Sequence, residues 1–156
     1  MALEIERKYL IDHKKWDKIN KPIGKLYRQG YLFTNKNKIV RVRLTDSDAY
    51  LTIKGKTNGA TRDEFEYEIP LTDARQLLDN FSEGELCKTR YEVWYKDKLW
   101  EVDVFHDAND GLIVAEVELD SEDQKFDLPD WITEEVTNDP RYYNSNLTLL
   151  PFKKRS

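Results

Sequence analysis

The chain has 156 residues, of which 25 are Lys or Arg and 30 are Asp or Glu, so its formal net charge is −5. This length predicts one domain, residues 1–156. No apolar run approaches the ~18 residues of a membrane span, and the acidic balance argues against a nucleic-acid partner. Cys87 is the single cysteine, and no secretory signal opens the chain, so we expect a cytoplasmic protein without internal disulfides.

Charged and apolar residues alternate along the predicted strands. In the first, residues 3–11, Glu4, Glu6 and Lys8 share one face, and the other face is apolar except for Arg7. Side chains alternate between the two faces of a strand, so these three charges point the same way. The other predicted strands, most of which repeat this alternation, are residues 27–33, 39–44, 50–54, 62–69, 87–95, 99–105 and 112–119. Eight strands are enough to close a barrel.

Turn residues separate these strands, and residues 88–119 predict a three-strand antiparallel meander. Helices are few. Thr72 is a predicted N-cap for a helix over residues 73–81, with Leu77, Leu78 and Phe81 as its apolar stripe. Further short helical segments are predicted at residues 14–19 after an Asp12 cap, at 139–141 and at 144–150. The pattern favours a single α+β domain.

The charged face has two interpretations. A one-sided antiparallel sheet ordinarily turns its polar face to water. Here, however, ionised residues follow one another in strand after strand, and arginine, which grips phosphate oxygens in a bidentate manner, is prominent among them. Basic residues come from three strands and acidic pairs from three others. Acidic pairs can share a hard cation such as Mg²⁺ or Mn²⁺, so the combination favours a polyphosphate with its metal.

Six short motifs, in this order along the chain, resemble those of the CYTH domain, also called the triphosphate tunnel metalloenzyme superfamily. They are Glu4-Ile5-Glu6-Arg7-Lys8, Arg41-Val42-Arg43, Thr52-Ile53-Lys54-Gly55, Arg62-Asp63-Glu64-Phe65-Glu66, Lys88-Thr89-Arg90 and Glu116-Val117-Glu118. The resemblance implies an eight-stranded antiparallel β-barrel, a tunnel with charged side chains inside and a few short helices outside. It therefore predicts that the charged face points inwards.

The resemblance also implies a function. Members of the superfamily hydrolyse or cyclise triphosphates, and short bacterial members are similar to inorganic triphosphatases. We therefore expect metal-dependent hydrolysis of a small-molecule triphosphate, with inorganic tripolyphosphate favoured, by a monomer or homodimer that binds neither nucleic acid nor membrane. Thiamine triphosphatase and class IV adenylate cyclase are alternatives, and a non-catalytic polyphosphate- or nucleotide-binding module is an alternative of another class. The chain has no P-loop motif.

Site roles follow from the matching positions. The residues expected to grip the phosphate chain are Lys8, Arg41, Arg43, Lys54, Lys88 and Arg90. The residues expected to hold one or two Mg²⁺ or Mn²⁺ ions are Glu4, Glu6, Glu64, Glu66, Asp103, Glu116 and Glu118. Glu116 and Glu118 are the favoured groups for activating water, and Lys88 and Tyr31 are further catalytic candidates.

Overall fold

The computed structural model describes residues 3–154 and contains nine strands in one antiparallel sheet. The strands are β1 (Leu3–Ile11), β2 (Lys25–Thr34), β3 (Lys38–Leu44), β4 (Ala49–Gly55), β5 (Thr61–Glu68), β6 (Gly84–Tyr95), β7 (Lys98–Phe105), β8 (Ile113–Glu118) and β9 (Ile132–Glu135). The α-helices are α1 (His13–Lys18), α2 (Leu71–Phe81) and α3 (Asn144–Leu149). Short 3₁₀ turns span Asp107–Asn109, Pro140–Tyr142 and Phe152–Lys154.

The sheet closes into the expected eight-stranded barrel. Its order is β5-β4-β3-β2-β6-β7-β8-β1, and the start of β1 pairs with β5 to complete the ring. The predicted meander is confirmed as β6, β7 and β8. The ninth strand, β9, was not predicted, and it pairs with the end of β1 through the partners Tyr9↔Glu135 and Ile11↔Ile132.

The apolar faces of the strands point outwards, where three clusters form the hydrophobic core. The first lies beneath α1 and contains Trp16, Trp100 and Trp131. The second lies between the sheet and α2, and the third includes Leu147 of α3. Each cluster buries apolar area that stabilises the fold, at about 25 cal/mol per Å² removed from water. The packed core is therefore a shell around the barrel, and the barrel interior is free for charged side chains.

Two features of α2 differ from the prediction. The helix begins at Leu71, which packs on the second outer cluster, so Thr72 lies within the first turn. Pro70 holds the N-cap position and makes no side-chain cap hydrogen bond. Phe81 is 64% exposed, and Ala74 joins Leu78 on the buried face instead. The helix approaches β2 so closely that a Cβ atom on Gly30 would lie 2.7 Å from Leu78.

The other helical predictions are confirmed. The Asp12 side chain accepts a hydrogen bond from the Lys15 backbone N–H at the start of α1. Asp139 caps the 3₁₀ turn at Pro140–Tyr142, and α3 follows it. No helix among the described residues is long and apolar enough to cross a membrane.

Candidate active site in the barrel

A cavity of about 240 Å³ occupies the barrel interior, and its wall is dominated by charge. The cations that line it are Lys8, Arg41, Arg43, Lys54, Arg62, Lys88 and Arg90. The carboxylates that line it are Glu4, Glu6, Glu64, Glu66, Glu101, Glu116 and Glu118. The charged face of the strands thus points into the barrel and not to bulk water. Tyr31 also lines the cavity.

Strand register determines which charges meet. Opposite charges are cross-strand partners at Glu4↔Arg62, Lys54↔Glu64, Lys8↔Glu116 and Arg90↔Asp103. Side chains directly opposite on the same face of an antiparallel pair are close enough to interact. The acidic and basic motifs, which lie far apart in the sequence, are therefore interleaved around one cavity.

One end of the cavity holds a network centred on Glu4. Its carboxylate lies 3.1 Å from Lys54 Nζ and 3.0 Å from Arg62 Nε, and Lys54 Nζ also lies 3.1 Å from Glu64. Burial opposes ionisation of Glu4, but Lys54 and Arg62 outweigh it and lower the pKa of Glu4 to about 2. Burial raises the pKa of Glu64, whose carboxyl also hydrogen-bonds to Glu4. In this network Glu4 contacts both Lys54 and Arg62, whereas Glu64 contacts Lys54 alone among the described residues.

A second network surrounds Asp103 in the wall of the barrel. Lys88 Nζ lies 2.8 Å from Oδ2 of Asp103, and Arg90 binds both Asp103 oxygens at 2.7 and 2.8 Å. Asp103 is fully buried and does not line the cavity, and these two cations bind both of its oxygens. Burial lowers the pKa of Lys88 to about 7, although Asp103 opposes the shift.

Two cations face the cavity without a carboxylate in contact. Within the described residues, Lys8 and Arg43 form no ion pair; Lys8 Nζ donates to the Tyr142 carbonyl, and Arg43 Nε donates to Gln29 Oε1. Burial, Arg41 and Arg90 together lower the pKa of Arg43 to about 10. Nε of Arg41 is buried and has no hydrogen-bond partner in the part of the chain that the structure describes. The Lys8 and Arg43 side chains line the cavity and are available to an anion that enters it.

The carboxyls provide an oxygen-rich donor set. Burial and the nearby charges of Glu116 and Glu4 raise the pKa of Glu6 well above its ordinary value, and Glu6 hydrogen-bonds to Glu116. Glu116 itself stays ionised because Lys8 and Arg90 outweigh its burial and lower its pKa. Partial burial raises the pKa of Glu118 as well.

This donor set is compatible with a hard divalent cation. Among residues 3–154 no three acidic, His or Cys side chains converge as a preformed metal site. The carboxyls of Glu6 and Glu116 nevertheless lie next to each other, and carboxylate oxygens are the ligands that Mg²⁺ and Mn²⁺ favour. The residues present therefore fit such an ion.

Sequence reasoning did not assign every residue that lines the cavity. Glu101 and Arg62 were outside the predicted site set, although both lie on the inward face of their strands, and that parity was the available signal. Tyr143 and Asn144 come from the segment after β9, and no strand pattern could have directed them to the cavity.

Comparison with known proteins identifies the family. The model of the CYTH domain matches residues 2–148. The chain belongs to the CYTH domain family. A CYTH relative from Acetivibrio thermocellus, named inorganic triphosphatase, is 46% identical over 98% of this chain and 97% of its own length. A second, from Nitrosomonas europaea and of the same name, is 38% identical over 94% of this chain and 97% of its own length.

Solved structures share the CYTH fold seen here. The structure of an inorganic triphosphatase superposes with a TM-score of 0.65 at 34% identity and covers 96% of each chain. A candidate adenylate cyclase from Bacillus halodurans superposes with a TM-score of 0.62 over 78% of this chain and 84% of its own, and at 18% identity it supports the fold alone.

Proposed function

We propose that this CYTH protein hydrolyses inorganic tripolyphosphate inside the barrel with the help of Mg²⁺ or Mn²⁺. The observation that carries the proposal is the cavity itself. Its volume is about 240 Å³, and seven cationic side chains and seven carboxylates line it. A chain of phosphates with its counter-cation is a ligand that needs both signs of charge at close quarters.

The size and polarity of the cavity favour an inorganic triphosphate over a nucleotide. Sites for drug-sized ligands usually measure about 300–1,000 Å³ and are mostly apolar. This cavity is smaller, and its lining includes few aliphatic side chains, Ile39 and Ala60 among them. An adenine or thiamine ring would find little apolar surface there, so we place ATP and thiamine triphosphate behind tripolyphosphate as substrates.

The cations have separate tasks in this proposal. Lys8 and Arg43, which form no ion pair within residues 3–154, bind phosphate oxygens directly, and Arg41, which lies 3.6 Å from Glu66, adds its charge to the wall. Lys54 and Arg90 are held by carboxylates and add positive potential at fixed positions. Preorganised charge of this kind stabilises the negative charge that moves onto the leaving phosphate oxygen.

The carboxylates divide in a similar way. The residues that we propose to hold the cation are Glu6, Glu64, Glu66, Glu116 and Glu118, with Glu4 and Asp103 engaged by cations of the barrel. When bound, a divalent cation neutralises phosphate charge and makes a water molecule more acidic. Hydrolysis adds one water molecule to the terminal phosphorus, breaks the bridging P–O bond and releases pyrophosphate and phosphate.

A proton must leave the attacking water, and two groups suit the task. Glu118 lines the cavity and has a raised pKa, and Lys88 has a pKa of about 7. A general base works best when its pKa lies near the working pH. Glu116 is a weaker candidate, because its cationic neighbours keep its pKa low. Tyr31 is a further candidate for contact with the reacting water.

The test is an assay of purified protein with tripolyphosphate, ATP and thiamine triphosphate, each with Mg²⁺, with Mn²⁺ and with EDTA. We expect phosphate release from tripolyphosphate that EDTA abolishes. Glu118→Gln should reduce turnover, whereas Glu134→Gln, on the exposed face of β9, should not. Cyclic AMP from ATP would contradict the proposal, and tight binding without product would indicate a binding module.

A cytoplasmic location and a monomeric or homodimeric state remain predictions. Fractionation of cells and light scattering of the purified protein test them.

A further inference from the structure

A buried amide network connects four cavity residues, and the proposed function gives its two amides no role. Gln29 is fully buried and does not line the cavity. Its Oε1 accepts from Arg43 Nε at 3.3 Å, and its Nε2 donates to the Tyr31 hydroxyl at 3.1 Å and to Asn144 Oδ1 at 3.2 Å. Asn144 Oδ1 also accepts from Lys88 Nζ at 2.9 Å.

The direction of every hydrogen bond in this network follows from Arg43. A guanidinium can only donate, so the Gln29 atom that faces Arg43 must be its oxygen. The Gln29 nitrogen then faces Tyr31 and Asn144, and because that nitrogen can only donate, the Asn144 atom that receives it must be an oxygen. A residue that binds phosphate thus determines the orientation of two amides beyond it.

This fixed direction constrains the two catalytic candidates. The Tyr31 oxygen accepts from Gln29, so its own O–H is free to point into the cavity that Tyr31 lines. Lys88 Nζ directs two N–H bonds at acceptors, Asp103 Oδ2 and Asn144 Oδ1, which leaves its third position for the cavity. Neither group can turn its reactive side towards the wall without breaking a bond in the network.

We propose that Gln29 and Asn144 are positioning residues that fix the hydrogen-bond direction of Tyr31 and Lys88 towards the reacting phosphate, an inference that rests on the proposed function. Gln29 acts from the wall of β2, and Asn144 acts from α3, a segment outside the barrel strands. The role predicts a loss of turnover and not of substrate affinity, because neither residue carries a charge that would hold the phosphates.

Steady-state kinetics of tripolyphosphate hydrolysis test this role in three variants. Asn144→Ala removes the acceptor shared by Lys88 and Gln29, and Gln29→Met removes all three Gln29 bonds at similar volume. For both we expect kcat to fall about tenfold or more, with KM within about threefold, since misdirected proton-transfer groups lose rate and not binding. Asn144→Asp keeps an acceptor oxygen in place, so kcat should return to near the wild-type value at a pH high enough to offset the rise in the Lys88 pKa, while the added charge raises KM.

The matched control is Asn146→Ala in the same helix, because the Asn146 side chain donates to the Pro140 carbonyl outside the cavity. It should keep wild-type kcat and KM. Thermal unfolding of each variant reports its fold, and if Gln29→Met is unfolded the two Asn144 variants decide. This inference alone is overturned if the wild-type protein is active and Asn144→Ala keeps the wild-type kcat. It is also overturned if Asn144→Asp loses as much kcat as Asn144→Ala. A wild-type protein without tripolyphosphatase activity overturns the proposed function and this inference with it.

Discussion

Lys88 Nζ lies 2.8 Å from Oδ2 of Asp103, and both side chains are almost completely excluded from solvent, at 1% and 0% exposure. Arg90 shares the same carboxylate. Two buried cations therefore share one anion in the barrel wall, and Arg90 also lies 3.1 Å from Glu101 and 3.6 Å from Glu116. A buried charge is tolerated only while it is paired and hydrogen-bonded, so Asp103 stabilises the fold as well as the site.

The first prediction concerns this carboxylate. Asp103→Asn should lower the free energy of unfolding by about 3 kcal/mol, because it removes the carboxylate that Lys88 contacts and leaves Arg90 only its pairs with Glu101 and Glu116. Urea denaturation measures the change. Asp139→Asn is the matched control, since Asp139 pairs with the exposed Arg141, and such pairs are worth about 0–1 kcal/mol. Equal losses in the two variants would contradict the assignment.

The second prediction concerns Arg43, one of the two cavity cations that form no ion pair within the described residues. Arg43→Ala should lower kcat/KM for tripolyphosphate by about 10²-fold or more, as loss of a preorganised donor does. The unfolding free energy should change by only about 1 kcal/mol, since the lost bond to Gln29 is offset by relief of repulsion from Arg41 and Arg90. Arg28→Ala, which removes ion pairs on the outer surface, should keep kcat/KM. If Arg43→Ala kept normal activity and lost much of its unfolding free energy, the proposal that Arg43 binds phosphate would be wrong.

The third prediction links metal binding to pH. Burial and neighbouring carboxylates raise the pKa of Glu6, Glu64 and Glu118, so a divalent cation that binds them must displace protons. Mg²⁺ affinity should therefore increase with pH. Calorimetric titration in two buffers of different ionisation enthalpy measures the protons released. Glu6→Gln should release fewer protons than the wild type, and Glu134→Gln should release the same number. Binding without proton release would show that the ion binds elsewhere.

The fourth prediction concerns stability and pH. Burial lowers the pKa of Lys88 from its ordinary 10.5 to about 7. Between these values the unfolded chain carries a proton that the folded protein lacks, so the free energy of unfolding rises with pH through this window and the gain is lost as pH falls through 7. Lys88→Met should remove this contribution, which reaches about 1.4 kcal/mol per pH unit. Urea denaturation at pH 7.5, 8.5 and 9.5 measures the slope, with the exposed Lys96→Met as control. Equal slopes in wild type and Lys88→Met would contradict the shift.

Much of the barrel could be predicted because charged and apolar residues alternate along most of its strands. The period of two in residues such as Glu4, Glu6 and Lys8 is a local property, and the structure gives these residues one face. The alternation alone does not predict whether the charged face points inwards or outwards. The inward direction came from the family resemblance, since a charged face beside an apolar one is equally typical of a solvated sheet.

Residues whose role depends on distant partners were not predictable. Arg7 breaks the alternation, and the structure explains why: it lies on the outer face and donates to Glu135 of β9 and to the Glu122 carbonyl. Glu101 and Asp103 share the inward parity and both contact Arg90, yet only Glu101 lines the cavity, whereas Asp103 is fully buried and also binds Lys88. Strand parity does not specify depth within a barrel.

The pairing of β1 has a consequence for folding. Its partners are β5, β8 and β9, and the last of these contacts joins Tyr9 to Glu135. Such pairings are strongly non-local, and chains dominated by them fold slowly because a long loop must close before the contact forms. The ring also closes through Glu4↔Arg62, which is an ion pair of the cavity wall. We therefore expect the N-terminal strand to dock late during synthesis, so that the cavity and the closed ring appear in one step.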